Sequence, residues 1–230
     1  TYNFRLNSHS SINSISPPDY FNQDNAINKD SIFNFELDDI IKFNKQLNDF
    51  TLENTENRDY SHNYDHMKKV AENSKLILDN INIKFNNDNA NNYNWFLKMC
   101  LAVSWLHDVA DHKYDKNGEI MKRVIKFVSN LKLGESDKEN ILKVIKMISF
   151  SYEKKNGYKF YENILSPEWI TIRNIVSDSD KIEALGIEGV KRCIAYAEHI
   201  SDVALTEDQK ILYCWNHATE KLLHLSKHYV

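Results

Sequence analysis

The sequence predicts an all-α fold, a single helical bundle over residues 32–230, and three observations carry that prediction. From about residue 32 onward, apolar residues recur at close to 3.6-residue spacing. Five glycines and three prolines in 230 residues are too few turn-formers for a sandwich or barrel of many short strands. No convincing strand stands out between the helical segments.

The elements follow in order. Residues 1–31 are rich in Asn and Ser and interrupted by Pro17-Pro18. They hold too little apolar surface to offset the entropy of ordering, so a flexible polar N-terminal arm is expected. FELDDIIKFNKQLNDFTLE (35–53) sets Phe35, Leu37, Ile40, Ile41, Phe43, Leu47 and Phe50 largely along one side. HMKKVAENSKLILDNI (66–81) repeats the pattern with Met67, Val70, Ala71, Leu76 and Ile77. The run NNDNANNYN (86–94) reads as an exposed loop. YNWFLKMCLAVSWLHDVA (93–110) is apolar on nearly all faces, which predicts a central buried helix.

Helices are expected next over 119–133 and 136–151, the second opened by a capping box from Ser136 to Glu139. Two more follow over 171–186, with Gly186 as its stop, and 189–205. A long amphipathic helix over 207–230 ends the sequence. The four tryptophans, Trp95, Trp105, Trp169 and Trp215, sit at apolar helical positions and read as core.

Composition narrows the function. The net charge is -4 and the pI about 6.1, with no basic stripe, so a nucleic-acid partner is not expected. One local cluster of Lys, His or metal would still suffice for a small anion. Cys100, Cys193 and Cys214 are odd in number and widely spaced, which argues against a disulfide framework, and Cys100 and Cys214, set among apolar residues, read as core thiols. No apolar run approaches the length of a membrane span, and no signal-peptide pattern opens the sequence. A cytoplasmic protein with no membrane partner is the expectation.

The chemistry centres on Trp105-Leu106-His107-Asp108, a His-Asp pair near the end of the most apolar helix. Burying such groups costs several kcal/mol unless they are paired or metal-bound. Alone, the pair reads as a hydrogen-bonded helix end. Two further pairs change the weighting. His62 and His66 are four apart and would share one helix face. Asp178 and Asp180 open another apolar-periodic segment. Separately these are caps or surface residues; together they would bring imidazole and carboxylate groups from separate helices to the most buried one.

The order His62, His107-Asp108, Asp180 resembles the H…HD…D signature of the HD-domain phosphohydrolase superfamily. The match is closer to the branch of bacterial-type HD nucleotide pyrophosphohydrolases, with patterns such as SHDxxHxxRV, LLHDxxDHKF, ISFS, DADRLDAIG and HFxEKLL. Here stand SHNYDHMKKV (61–70), WLHDVADHKY (105–114), ISFS (148–151), SDSDKIEALG (177–186) and NHATEKLL (216–223), in the same order. The resemblance covers about residues 35–225. Asn63, Lys69, Lys181 and Glu183 depart from the pattern while keeping charge or hydrogen-bonding capacity.

The resemblance implies a single HD-domain helical bundle holding one divalent metal ion (Mn, Mg, Fe, Co or Zn). His62, His107, Asp108 and Asp180 are the implied ligands, with Asp178 in reserve for Asp180. Asp111 resembles the family's water-positioning acid or general base, catalytic together with Asp108. His66, Lys69, Lys113 and Lys181 are the implied phosphate-binding cations, and Tyr64 or Tyr114 would stack on a base. His112 reads as structural and His217 as a helix-packing histidine. The implied substrate is a small phosphorylated molecule, a nucleotide, cleaved by a pyrophosphohydrolase or nucleotidase. Self-association into a homo-oligomer is left open. The other classes weighed are a non-catalytic HD module that binds a nucleotide or partner, and a di-iron oxygenase on the same scaffold.

Overall fold

Helix α3 (Asn89–Leu106) organises the fold. Every residue from Met99 to Leu106 is buried, and α1 (Ser31–Thr55), α2 (Tyr64–Asn80), α5 (Glu135–Met147) and α7 (Pro167–Ile182) pack around it. The computed structural model describes residues 31–81, 89–201 and 203–224. Among them the fold is all-α, with no strand; α4 (Glu119–Asn130), α6 (Phe150–Asn156), α8 (Gly186–Ile200) and α9 (Glu207–Glu220) complete the α-helices. No helix among the described residues is long and apolar enough to cross a membrane. The expected arm over residues 1–30 lies outside the described residues, as do 82–88 of the loop region and the last six residues.

Several boundaries differ from expectation for local reasons. Part of the predicted Asn-rich loop, from Asn89, already belongs to α3. At its other end α3 stops at Leu106, and carbonyls in its last turn and just beyond it find partners outside the helix. The Thr51 hydroxyl of α1 donates to Trp105 O at 3.1 Å. The Arg58 guanidinium donates to Asp108 O at 2.8 Å and also to Val109 O. His107 and Asp108 therefore sit on irregular backbone beyond the helix. The Ser136 capping box is absent: α5 starts one residue earlier behind Gly134, with no side-chain cap. A capping box forms instead at Thr206 and Gln209, opening α9.

The predicted 136–151 helix breaks after Met147 and restarts as α6. Gly186 does not stop α7, which ends at Ile182; it opens α8 at φ +65°, a conformation that favours glycine. At Gly189 a Cβ would stand 2.1 Å from Ala184 O, so only glycine lets α8 approach the α7 turn this closely. The terminal helix is shorter than expected, ending at Glu220 before a 3-10 turn over Leu222–His224. Trp215 on it is 65% exposed rather than core.

Two buried polar features join the helices. Ser104 Oγ lies 2.8 Å from Ser74 Oγ, which donates to Ser179 Oγ at 3.0 Å, which donates to Ile175 O at 2.7 Å. This chain of small hydroxyls lets α2, α3 and α7 approach closely with every donor used. Arg173, fully buried on α7, donates to Glu153 at 2.8 Å and to Met147 O at 3.2 Å and stacks over Tyr161. It ties α7 to the α5–α6 break.

Candidate metal centre

Three elements meet at one point. Asn63 caps α2, its side chain accepting from His66 N at 3.2 Å, so His66 lies in the first turn with its imidazole buried. The segment after α3 supplies His107 and Asp108, and the last turn of α7 supplies Asp180. His66, His107 and Asp180 form a group that could hold a metal ion, their ligand atoms all within 4.8 Å of one another. His66 Nε2 is 3.2 Å from Asp180 Oδ1 and 3.7 Å from Asp108 Oδ2. His107 Nε2 is 3.5 Å from Asp108 Oδ2 and 3.8 Å from Asp180 Oδ1.

The donor set fits a divalent ion. His107 Nδ1 donates to Ser104 O at 2.7 Å, which fixes the tautomer and turns a lone pair on Nε2 toward the carboxylates. Both Nε2 atoms are buried, with carboxylates at ion-pair range but no hydrogen bond of normal geometry. Buried polar atoms are rarely left so. Two imidazoles with two carboxylates form a mixed N/O set of the kind that takes first-row divalent metals.

The electrostatics express the same crowding. Burial lowers the His66 pKa, with Arg192 adding to the shift and Asp180 opposing it. At His107 burial also opposes the charge, but Asp108 and Asp180 overcome it and raise the pKa to about 9. Asp180 is held well below the usual carboxylate range: burial works against ionisation, and the two imidazoles outweigh it. Asp108 is lowered the same way, chiefly by His107 against its own burial.

The centre lies in a cavity of about 290 Å³ whose wall includes Asp111, Lys113, Arg192, Tyr196, Tyr213 and Lys221. A second cavity of about 540 Å³ opens on the α5–α6 side and shares His107, Asp108, Asp111 and Ser149 with the first. The site is thus reached from two sides.

The principal correction concerns His62. The expected helical face does not include it, because the Asn63 cap starts α2 only at Tyr64. His62 sits on the irregular approach, and both ring nitrogens are engaged: Nδ1 with Ser61 Oγ at 2.5 Å, Nε2 with Lys113 Nζ at 3.1 Å. It lines the cavity, and His66 takes the place expected of it in the cluster. His66 was expected among the phosphate-binding cations; its burial beside the carboxylates makes it a ligand-type group instead. Asp178, two residues from Asp180 and about 200° around the helix, is not in the cluster. Its carboxyl is raised by burial against the pull of Lys181 and Arg173.

The cations divide. Lys113 lines the cavity, with its Nζ 4.4 Å from the Tyr196 ring centroid. Lys181 is buried at the cavity wall, but its ammonium donates to Ser177 O at 3.2 Å and to Ser177 Oγ. Lys69 is half-exposed and faces Glu183 at 3.9 Å, outside both cavities. Asp111 lines both cavities, and its Oδ1 accepts from Lys113 N at 2.8 Å. His112 is exposed, its Nδ1 3.4 Å from Asp111 Oδ1. Neither proposed stacking tyrosine faces the site. Tyr64 accepts from Asn48 at 2.9 Å and packs on Trp105, and the Tyr114 hydroxyl donates to Asp59.

Sequence reasoning missed Arg58, Arg192, Tyr196 and Tyr213. Arg192 holds the approach to His62 in place, donating from Nη2 to Ser61 O at 2.7 Å and from Nη1 to Glu183 O at 3.2 Å. No spacing rule links a residue of α8 to a backbone carbonyl near α2. His217, read as a packing histidine, lines the cavity.

No family model matches the sequence, and none of the curated proteins does. Solved structures do resemble it. A Lactobacillus plantarum protein, a Northeast Structural Genomics target, superposes with a TM-score of 0.57 at 21% identity, covering 80% of this chain and 82% of that one. Bacillus subtilis YpgQ gives 0.52 at 19% identity over 83% of each chain, and its selenomethionine form 0.54 at 21% over 83% and 84%. They share this fold. At such identities the likeness carries no activity across.

Proposed function

We propose that this chain is a metal-dependent phosphohydrolase of the HD-domain superfamily, acting on a small phosphorylated substrate of the nucleotide class. The observation that carries the reading is the pair of buried imidazoles whose unpartnered Nε2 atoms face Asp108 and Asp180 on the wall of an open cavity. His66, His107, Asp108 and Asp180 would hold the ion. When bound, a divalent metal supplies Lewis acidity toward a phosphoryl oxygen and lowers the pKa of water.

The chain's own residues supply the rest. Asp111 is poised to orient an attacking water and take its proton, since one carboxylate oxygen holds the Lys113 amide and fixes the side chain at the cavity wall. Lys113 offers an ammonium to a phosphate, and Arg192 and Lys221 add positive charge to the same wall. Phe150, Tyr196 and Tyr213 give the cavity aromatic surface on which a base can pack. That surface is the reason for favouring a nucleotide over a generic phosphate ester.

The test has two steps. Elemental analysis of protein purified without chelator should find about one divalent ion per chain. A panel of deoxynucleoside triphosphates, monophosphates and simple phosphate esters with Mn, Mg, Co, Fe or Zn should then show turnover of a nucleotide. Pyrophosphate release would mean attack at the α-phosphorus, and orthophosphate from monophosphates a nucleotidase. Bound metal with no hydrolysis of any member would sink the enzymatic reading in favour of a nucleotide-binding module.

A further inference from the structure

His62 lies at the end of an ordered hydrogen-bond chain whose far end is a charge in the cavity. Tyr114 and Ser61 both donate hydroxyl hydrogens to Asp59, one to each carboxylate oxygen. The Ser61 amide adds a third bond to Asp59 Oδ1 at 2.8 Å. With its own hydrogen committed to Asp59, Ser61 Oγ can only accept from His62 Nδ1, 2.5 Å away. The proton of a neutral His62 is then on Nδ1, and Nε2 presents a lone pair to Lys113 Nζ at 3.1 Å. Arg192 fixes the backbone beneath this chain through Ser61 O. Every donor points one way, from the ammonium in toward the Asp59 carboxylate.

We infer that His62 is a positioning residue, holding the Lys113 ammonium in the cavity as a preformed clamp for a phosphate. The inference rests on the phosphohydrolase reading for the identity of the anion. An ammonium carries three hydrogens. One goes to His62 Nε2, and the face of Tyr196 at 4.4 Å supports the charge from the side. A hydrogen remains for an oxygen entering the cavity. Lysine ordinarily loses much rotamer freedom on binding an anion, and a lysine already held loses less. His62 thus has a use in the site other than metal ligation, and one that explains why both its nitrogens are occupied.

The experiment is a double-mutant cycle read by binding of inorganic pyrophosphate with magnesium in excess, using titration calorimetry on the protein as purified. Metal content and Tm are recorded for each variant. Lys113→Ala should weaken binding about 10- to 100-fold, the worth of one charge-assisted hydrogen bond. His62→Phe should lose several-fold with its metal content unchanged, and adding it to Lys113→Ala should cost nothing more. His62→Gln, whose side-chain carbonyl can still accept from the ammonium, should recover much of the loss. Multiplying losses, or wild-type affinity in His62→Phe, would overturn the clamp. Loss of metal in both His62 variants would overturn it too and restore His62 as a ligand.

A second readout needs no anion. Long-range ¹H–¹⁵N spectra of the imidazoles should show His62 protonated at Nδ1, with its Nε2 resonance shifting on Lys113→Ala. A proton on Nε2 overturns the pairing whatever binds. Wild-type protein that fails to bind pyrophosphate while His62 shows the Nδ1 tautomer refutes the phosphate reading and, with it, the clamp's purpose.

Discussion

His66 Nε2 stands 3.2 Å from Asp180 Oδ1, joining the first turn of α2 to the last turn of α7 across the end of α3. Neither residue has a comparable partner nearby in sequence, so the contact exists only because three helices converge. An ion held there would bind the folded chain and not the unfolded one. It should stabilise by about 2.7 kcal/mol when present at a hundred times its Kd. Chelation is therefore expected to lower Tm by several degrees in the wild type and not at all in His66→Ala or Asp108→Ala. Elemental analysis should find those two variants empty and inactive. His66→Ala retaining a full complement of metal would remove it from the ligand set.

The fold class was legible because sustained 3.6-residue periodicity and scarce breakers are properties of the chain itself. Three of the four implied ligands, His107, Asp108 and Asp180, lie together as the family resemblance implied, although they come from distant segments and local periodicity alone carries no such convergence. His62 was misjudged by one local event. The Asn63 cap starts the helix between the two histidines, and spacing arguments hold only inside a helix. Arg58 and Arg192 were illegible because they act on backbone carbonyls of distant segments, and nothing in a sequence marks a carbonyl as needing a partner.

The buried Arg173–Glu153 pair should matter to stability through its parts more than as a whole. Glu153→Gln takes the carboxylate from an arginine with no exposed surface. Breaking such a pair on one side typically costs about 3–5 kcal/mol. Replacing both partners with apolar residues of similar volume, as in Arg173→Met with Glu153→Leu, should recover much of that loss. Urea denaturation of the two singles and the double decides it, and a double variant as unstable as the sum of the singles would show that the pair is itself stabilising.

The thiols report on packing. Cys100 is fully buried in α3, and burial pushes its pKa up. Cys193 is pushed up to about 12 by burial and by the adjacent Cys214. Thiolate is the reactive form. At pH 8 an aromatic disulfide reagent should label Cys193 slowly and leave Cys100 untouched until the protein unfolds. Rapid labelling of Cys100 in native protein would mean that α3 is not the closed core described above.

Asp111 separates proton transfer from metal binding. Its Oδ1 accepts the Lys113 amide at 2.8 Å, a bond that an asparagine oxygen can also accept. Asp111→Asn should therefore keep the turn, the metal and the position of Lys113 while removing the proton acceptor. The expected result is unchanged metal content and pyrophosphate affinity, with kcat down by about 10²- to 10⁴-fold, the usual worth of a positioned general base. Lys113→Ala should differ in kind, raising KM and lowering kcat together, because a phosphate clamp acts on both the bound substrate and the transition state. Steady-state kinetics on whichever nucleotide the panel identifies will distinguish the two patterns. Wild-type turnover by Asp111→Asn would mean that Asp111 holds the turn alone and that the proton leaves by another route.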